Sequence, residues 1–302
     1  MKLDGRRRSG NIVDRRGNSG GGSGFNFGGM SGRGIKIGGG GGIIGLLILA
    51  AVTLLSGGNP LELITGPDYG NYNVVGPGGS YTPSAHEEEL ADFASQILAG
   101  TEDVWDKKFR EMGRTYVPPK MVFFTGSVNS ACGGATASVG PFYCSADQTI
   151  YIDLSFFDQM EREMHAGGDF AFAYVIAHEV GHHVQYLLGT LDEAHSRMAR
   201  LPEAEANKIS VRTELQADYY AGVWAHGDNE MFGSLEPGDI EEGLNAASKI
   251  GDDYLQKQAR GYAQPETFNH GRSDQRVRWL EKGAATGSVA GGDTFSPSYG
   301  AL

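Results

Sequence analysis

The stretch YVIAHEVGHHVQYLLG, residues 174–189, sets three histidines and one glutamate into an otherwise apolar run. His178 and His182 are four residues apart, so on an α-helix they project from one face, one above the other. Zinc takes imidazole nitrogens at about 2.0–2.1 Å in a tetrahedron, and two histidines one turn apart can fill two adjacent corners. Glu179 is turned about 100° away from them, badly set as a ligand but well set to take a proton from an attacking water. This is the H-E-x-x-H arrangement of a zinc peptidase. His183 points about 100° off that face and reads as a satisfied histidine behind the site or at the surface.

A further ligand is needed, and a later segment offers one. In SVRTELQADYYAGVWAHG, residues 210–227, Glu214 and Asp218 are again four apart and share a helix face. The run is too apolar around its circumference for a wet surface helix, so the two carboxylates need buried partners, and the missing metal ligand is one such partner. Taken together, HEVGHHVQ and ELQADYYAG resemble the bacterial neutral zinc metallopeptidase family (YpfJ-like proteins), gluzincin-type zincins related in motif to CAAX-prenyl-protease-like peptidases. The resemblance runs from about Glu87 to Gly283 and implies a zincin fold and a Zn2+ cofactor. It implies His178, His182 and Glu214 as the zinc ligands, Glu179 as the general base, and Asp218 as acceptor for the outer ring N–H of a ligand histidine.

In TFNHGRSDQRVRWLEKG, His270 stands just before a helix that Ser273 could cap, where the similar peptidases also carry a histidine. It is a candidate donor to the developing oxyanion; the alternative is a capping or packing histidine. Arg276, one turn on, reads as the partner of an internal acid; the alternative is a residue that positions substrate. Tyr219 and Tyr220 read as core packing.

The elements that must carry these residues follow from pattern. A chain of 302 residues, 40% hydrophobic, can bury one good core or at most two small ones. A helix is expected over AHEEELADFASQILAGTEDVWDKKFREMG, where Leu90, Phe93, Ile97 and Leu98 keep helical spacing. Short branched and aromatic runs follow as strands: Lys120–Val128, ASVGPFYCS and Gln148–Ser155. Pro141 marks the second as an edge strand, and so as a candidate track for an extended peptide. From about Ser155 the pattern is helical, with the H-E-x-x-H helix running from an N-cap near Asp169 to Gly189. The order is that of an α+β fold, a zincin-like metallopeptidase domain of small sheet and active-site helices over residues 86–285. Residues 286–302 are expected to be a flexible tail.

Nineteen of the 47 glycines lie in the first 60 residues, and residues 1–36 read as a Gly-rich, basic, disordered cytoplasmic tail. Those 60 residues carry a formal charge of +6 and the remainder −18, which excludes nucleic acid as a partner of the body. No charge occurs from Ile37 to Leu61, and IIGLLILAAVTLL sits inside the run. Residues 37–58 are therefore expected to form a single transmembrane helix, followed by a linker over 59–85. All the basic residues of this region precede it, which orients the N-terminus to the cytoplasm and the catalytic domain to the periplasmic or extracytoplasmic side of the inner membrane. A cleaved signal peptide and a buried core helix are the alternatives. The first lacks an A-x-A-like site after Leu55, and the second has no amphipathic neighbour.

The cysteines, Cys132 and Cys144, bracket a Gly-rich loop, and in an exported chain an even count favours a disulfide over two buried thiols. The expected function is that of a membrane-anchored zinc metalloendopeptidase acting on protein or peptide substrates. The competing reading is a non-proteolytic, zinc-containing envelope binding or scaffold protein, against which an intact Glu179 counts.

Overall fold

A computed structural model describes residues 1–17 and 81–302. The expected membrane segment at 37–58 lies outside the described residues, as does most of the 59–85 linker. Among the described residues no helix is long and apolar enough to cross a membrane.

The architecture is α+β: among the described residues, a four-stranded sheet and a two-stranded ribbon with eight α-helices. Helix α1 (Ala85–Glu111) starts in a capping box: the Ser84 hydroxyl accepts the Glu87 N–H at 3.1 Å, and the Glu87 carboxylate accepts the Ser84 N–H at 2.8 Å. Strand β2 (Lys120–Phe124) lies parallel to β6 (Thr149–Asp153), whose other side takes the antiparallel β5 (Phe142–Cys144). Alternation along β2 divides its side chains between two apolar layers. Met121 and Phe123 join the main core, while Val122 and Phe124 pack with Phe142, Cys144 and Tyr151. Between β2 and β5 a two-stranded antiparallel ribbon, β3 (Ser127–Ser130) and β4 (Gly133–Thr136), occupies the small-residue run where no separate strands were expected. Cys132 and Cys144 are disulfide-bonded, pinning the ribbon's turn to β5. Strand β5 ends the sheet, as expected of ASVGPFYCS, but the strand is shorter than that run: Pro141 precedes it and Ala137–Val139 form a 3-10 turn.

The helices follow in order: α2 (Ser155–Met164), α3 (Asp169–Leu188), α4 (Thr190–Met198), α5 (Glu203–Phe232), α6 (Asp239–Lys249), α7 (Asp252–Arg260) and α8 (Ser273–Thr286). Helix α3 begins at Asp169, as expected, but Gly168 occupies the cap position and no side chain caps it. Likewise Ser273 is the first residue of α8 rather than its cap; its N–H is accepted by the Asp253 carboxylate at 2.7 Å.

Two expectations of disorder are corrected. Residues 1–17 do not form part of a disordered tail: β1 (Ile12–Asp14) pairs parallel to β2 and ends the sheet opposite β5. Glycine and arginine content misled here, because the arginines are consumed by acids of the folded domain. Nor is 286–302 a flexible tail. Gly292 C=O accepts from Gln216, Thr294 donates to the Arg212 C=O at 2.6 Å, and Leu302 is buried, its C=O accepting from Arg278 at 2.6 Å. Backbone bonds to helix side chains hold this segment without any periodic pattern to announce it.

Candidate metal centre

Helices α3 and α5 lie close enough for backbone contact. A Cβ on Gly181, inside the H-E-x-x-H turn, would come within 2.9 Å of the Ala217 C=O. This close approach lets a side chain as short as Glu214 reach between two histidines of the facing helix.

The Nε2 atom of His178 lies 3.3 Å from one Glu214 oxygen, and Nε2 of His182 lies 3.5 Å from the other. Ligand atoms of the three residues all fall within 4.8 Å of one another, and all three side chains are buried. His178 Nε2 and Glu214 Oε2 have no hydrogen-bond partner. Buried polar atoms left without a partner are costly, and here two of them face one point. A divalent cation resolves that cost with the donor set, two imidazoles and one carboxylate, that suits zinc.

The outer nitrogens are held as firmly. His178 Nδ1 is 2.8 Å from Asp218 Oδ1, and His182 Nδ1 is 2.9 Å from Gln185 Oε1. Both acceptors require N–H at Nδ1, leaving Nε2 as the lone-pair donor toward the shared point. Asp218 is fully buried and accepts from Tyr174 at 2.6 Å and twice from Arg276 at 2.9 Å. Gln185 is fixed in turn by donating to the Thr213 C=O at 2.7 Å. Gln185, Tyr174 and Arg276 thus hold the ligands' supports. Arg276 is the partner of an internal acid, as expected; Gln185 and Tyr174 were not singled out, although Gln185 carried a readable signal, standing three residues after His182 on its face.

The electrostatics fit a cation. Burial works to raise the Glu214 carboxyl, but the adjacent histidines outweigh it and hold it well below the usual carboxylate range. Burial pushes His182 down to about 4, so its ring is neutral. Burial also opposes charge on His178, but the Asp218 carboxylate outweighs it and pushes that ring up to about 9. A metal must therefore displace one proton from His178. Burial, reinforced by Glu214, pushes Glu179 up to about 8. The backbone of Tyr143, on the edge strand β5 that packs against α3, works to lower it.

His183 lies off the cluster, with Nδ1 2.8 Å from the Tyr143 hydroxyl and Nε2 2.7 Å from the Val117 C=O. His270 is buried, its Nδ1 2.9 Å from Asp252 Oδ1, while the other Asp252 oxygen accepts the backbone N–H groups of Asn269, His270 and Gly271. It is near enough to act electrostatically on Glu214. Asp252, which fixes this ring, was not singled out in the sequence. Tyr219 and Tyr220 pack in the core.

Two helices carry two histidines and a carboxylate onto one buried point that could hold a metal ion, the class of site expected of a zinc-dependent protein. Comparison with known proteins gives the family: the chain matches the "Putative neutral zinc metallopeptidase" model over residues 1–295, and it belongs to that family. It is 45% identical to the uncharacterized protein YpfJ of Escherichia coli K12 over 298 residues, 99% of this chain and 100% of that one. It is 37% identical to the uncharacterized protein Rv2575 of Mycobacterium tuberculosis H37Rv over 253 residues, 80% of this chain and 85% of that one. No solved structure matches the chain.

Proposed function

We propose that the chain is a zinc endopeptidase of the HExxH…ExxAD gluzincin type with a zincin-like domain. The observation that carries this is the convergence of His178 Nε2, His182 Nε2 and the Glu214 carboxylate on one buried point, where His178 Nε2 and Glu214 Oε2 make no hydrogen bond and face each other at 3.3 Å. In this reading zinc is held by those three residues and, when bound, acts as Lewis acid toward the scissile carbonyl and lowers the pKa of the attacking water.

The chain's own groups do the rest. Glu179, beside the cluster but not within it, takes the proton of the water and delivers it to the leaving amine. Its elevated pKa in the metal-free protein places it near the range where a carboxylate both accepts and returns a proton, and a neighbouring cation lowers it toward the accepting form. Asp218 and Gln185 keep both ligand imidazoles in the Nδ1–H tautomer. His270, oriented by Asp252, is the donor to the oxyanion. A peptide laid along the free edge of β5, a strand that packs against α3, would run past Glu179; this favours cleavage within extended chains. The Cys132–Cys144 bond favours an extracytoplasmic site of action, and the apolar run at 37–58 favours attachment to the inner membrane.

Peptide profiling by mass spectrometry of envelope fractions, with wild-type protein and with Glu179→Gln, tests the reading. New cleavage products are expected with the wild type alone. Identical profiles from the two proteins would overturn it.

A further inference from the structure

Residues 1–17 occupy a slot that the domain is built to offer. Arg6 reaches between α1 and α5 to pair with Asp228, at 2.7 Å from one oxygen and 3.2 Å from the other. Asp228 is 1% exposed and lies on α5, thirty residues long, which also carries Glu214. Room for the pair exists because α1 has glycine at position 100: a Cβ there would lie 2.7 Å from Asp228 Oδ1 and 2.8 Å from Arg6 Nη2. Glycine inside a helix costs about 1 kcal/mol relative to alanine, and here that cost accompanies a buried charge pair. The Glu102 carboxylate on α1 is likewise claimed by the segment, accepting from Arg7 at 2.8 Å, Ser9 at 2.5 Å and Asn11 at 2.7 Å. Beyond these side chains, β1 takes the free edge of β2, with Ile12 opposite Met121 and Asp14 opposite Phe123.

The two ends of the intervening segment also meet. A Cβ on Gly17 would collide with the side chain of Tyr81, so the chain leaves the domain and returns to it at one place. A single membrane crossing between these points would put them on opposite sides of a hydrocarbon layer about 30 Å thick. A second crossing would restore them to one side, but it needs a second apolar stretch of about 20 residues, and the one strongly apolar run in the sequence of residues 18–80 is IIGLLILAAVTLL, Ile43–Leu55.

We infer that residues 1–17 are a constituent of the catalytic domain and lie on the same side of the membrane as residues 81–302, which a single crossing between them would not allow. This replaces the single-pass arrangement expected from charge asymmetry. The basic residues counted there as a cytoplasmic signal are in large part ligands of acids on the domain: Arg6 of Asp228, Arg7 of Glu102 and Asp103, Arg8 of Asp92, and Arg16 of Glu88.

Labelling of single added cysteines in intact cells tests the inference. Gly10 and Gly300 are exposed, and a Cβ at either meets nothing. In the full-length chain, Gly10→Cys and Gly300→Cys are exposed separately to a membrane-impermeant maleimide, before and after lysis. The two positions are expected to behave alike; labelling of Gly300→Cys with protection of Gly10→Cys, or the converse, would overturn the inference. Both labelled is the result expected of an extracytoplasmic domain. Both protected would support the shared side while refuting that location, so the two readings fail separately. A second arm uses Arg6→Ala, which strands Asp228: digestion of the domain by added protease, in sealed spheroplasts if both positions label and in lysed ones if both are protected, should rise by about tenfold or more, and unchanged digestion would contradict docking in the cell.

Discussion

Replacing Asp218 by asparagine probes the support of the metal centre most sharply. The carboxylate receives four hydrogen bonds, from His178 Nδ1, the Tyr174 hydroxyl and twice from Arg276, and has no exposure to water. An amide of the same size has one oxygen, so at least one of these donors faces an NH2 group. If the amide oxygen stays with His178 and Tyr174, the NH2 faces Arg276 Nε, and a guanidinium 1% exposed loses its counter-charge. Breaking a buried pair in this way costs about 3–5 kcal/mol. Loss of the strong acceptor behind a ligand histidine lowers metal affinity by about 10- to 100-fold. Sequence reasoning alone expects the fold to survive intact; the Arg276 pair makes a stability loss part of the prediction. Adding Arg276→Met to Asp218→Asn removes the stranded charge and should recover much of the stability without restoring zinc affinity. Chelator competition for zinc, run beside thermal unfolding of the metal-free protein, separates the two effects. Zinc affinity in Asp218→Asn within twofold of wild type would refute the argument, whatever the melting temperature.

Other outcomes follow from the same geometry. Gln185→Ala removes the acceptor at His182 Nδ1, and zinc affinity measured by the same competition should fall by about tenfold. With His178 raised from its ordinary 6.5 to about 9, the metal-free fold is stabilised by that proton below pH 6.5 and loses the contribution as pH rises through 9. Zinc must displace the same proton, so apparent affinity should climb about tenfold per pH unit from 7 toward 9 and then level, and a flat profile would contradict the assignment. Reducing the Cys132–Cys144 bond, or replacing both cysteines with serine, should cost about 3 kcal/mol by denaturant unfolding, from closure of a short loop. His270→Ala should lower kcat by about 100-fold with KM little changed, if its donation is confined to the transition state.

The cluster was legible because helical spacing is rigid: residues four apart share a face wherever the helix lies, so the pairs His178/His182 and Glu214/Asp218 were each fixed before any fold was known. Bringing the pairs together required knowing that α3 and α5 touch at Gly181 and Ala217, which spacing does not state. Asp252 escaped notice because it supports His270 from eighteen residues away across a loop, through bonds with no periodicity. The N-terminal strand was the largest surprise. Three residues flanked by arginines and glycines have no strand signature of their own, and Ile12–Asp14 become a strand through the waiting edge of β2. The C-terminal segment was misjudged for the same reason, its order coming from helix side chains such as Gln216 and Arg278.

The central claim is a zinc ion held by His178, His182 and Glu214 with Glu179 as the proton carrier, and one paired measurement addresses it. Zinc content by elemental analysis and cleavage of an unfolded polypeptide are determined together for wild type, Glu179→Gln and Glu214→Gln. The account predicts one zinc per chain with cleavage in the wild type, one zinc without cleavage in Glu179→Gln, and neither in Glu214→Gln. Full zinc in Glu214→Gln, or wild-type cleavage by Glu179→Gln, would contradict it.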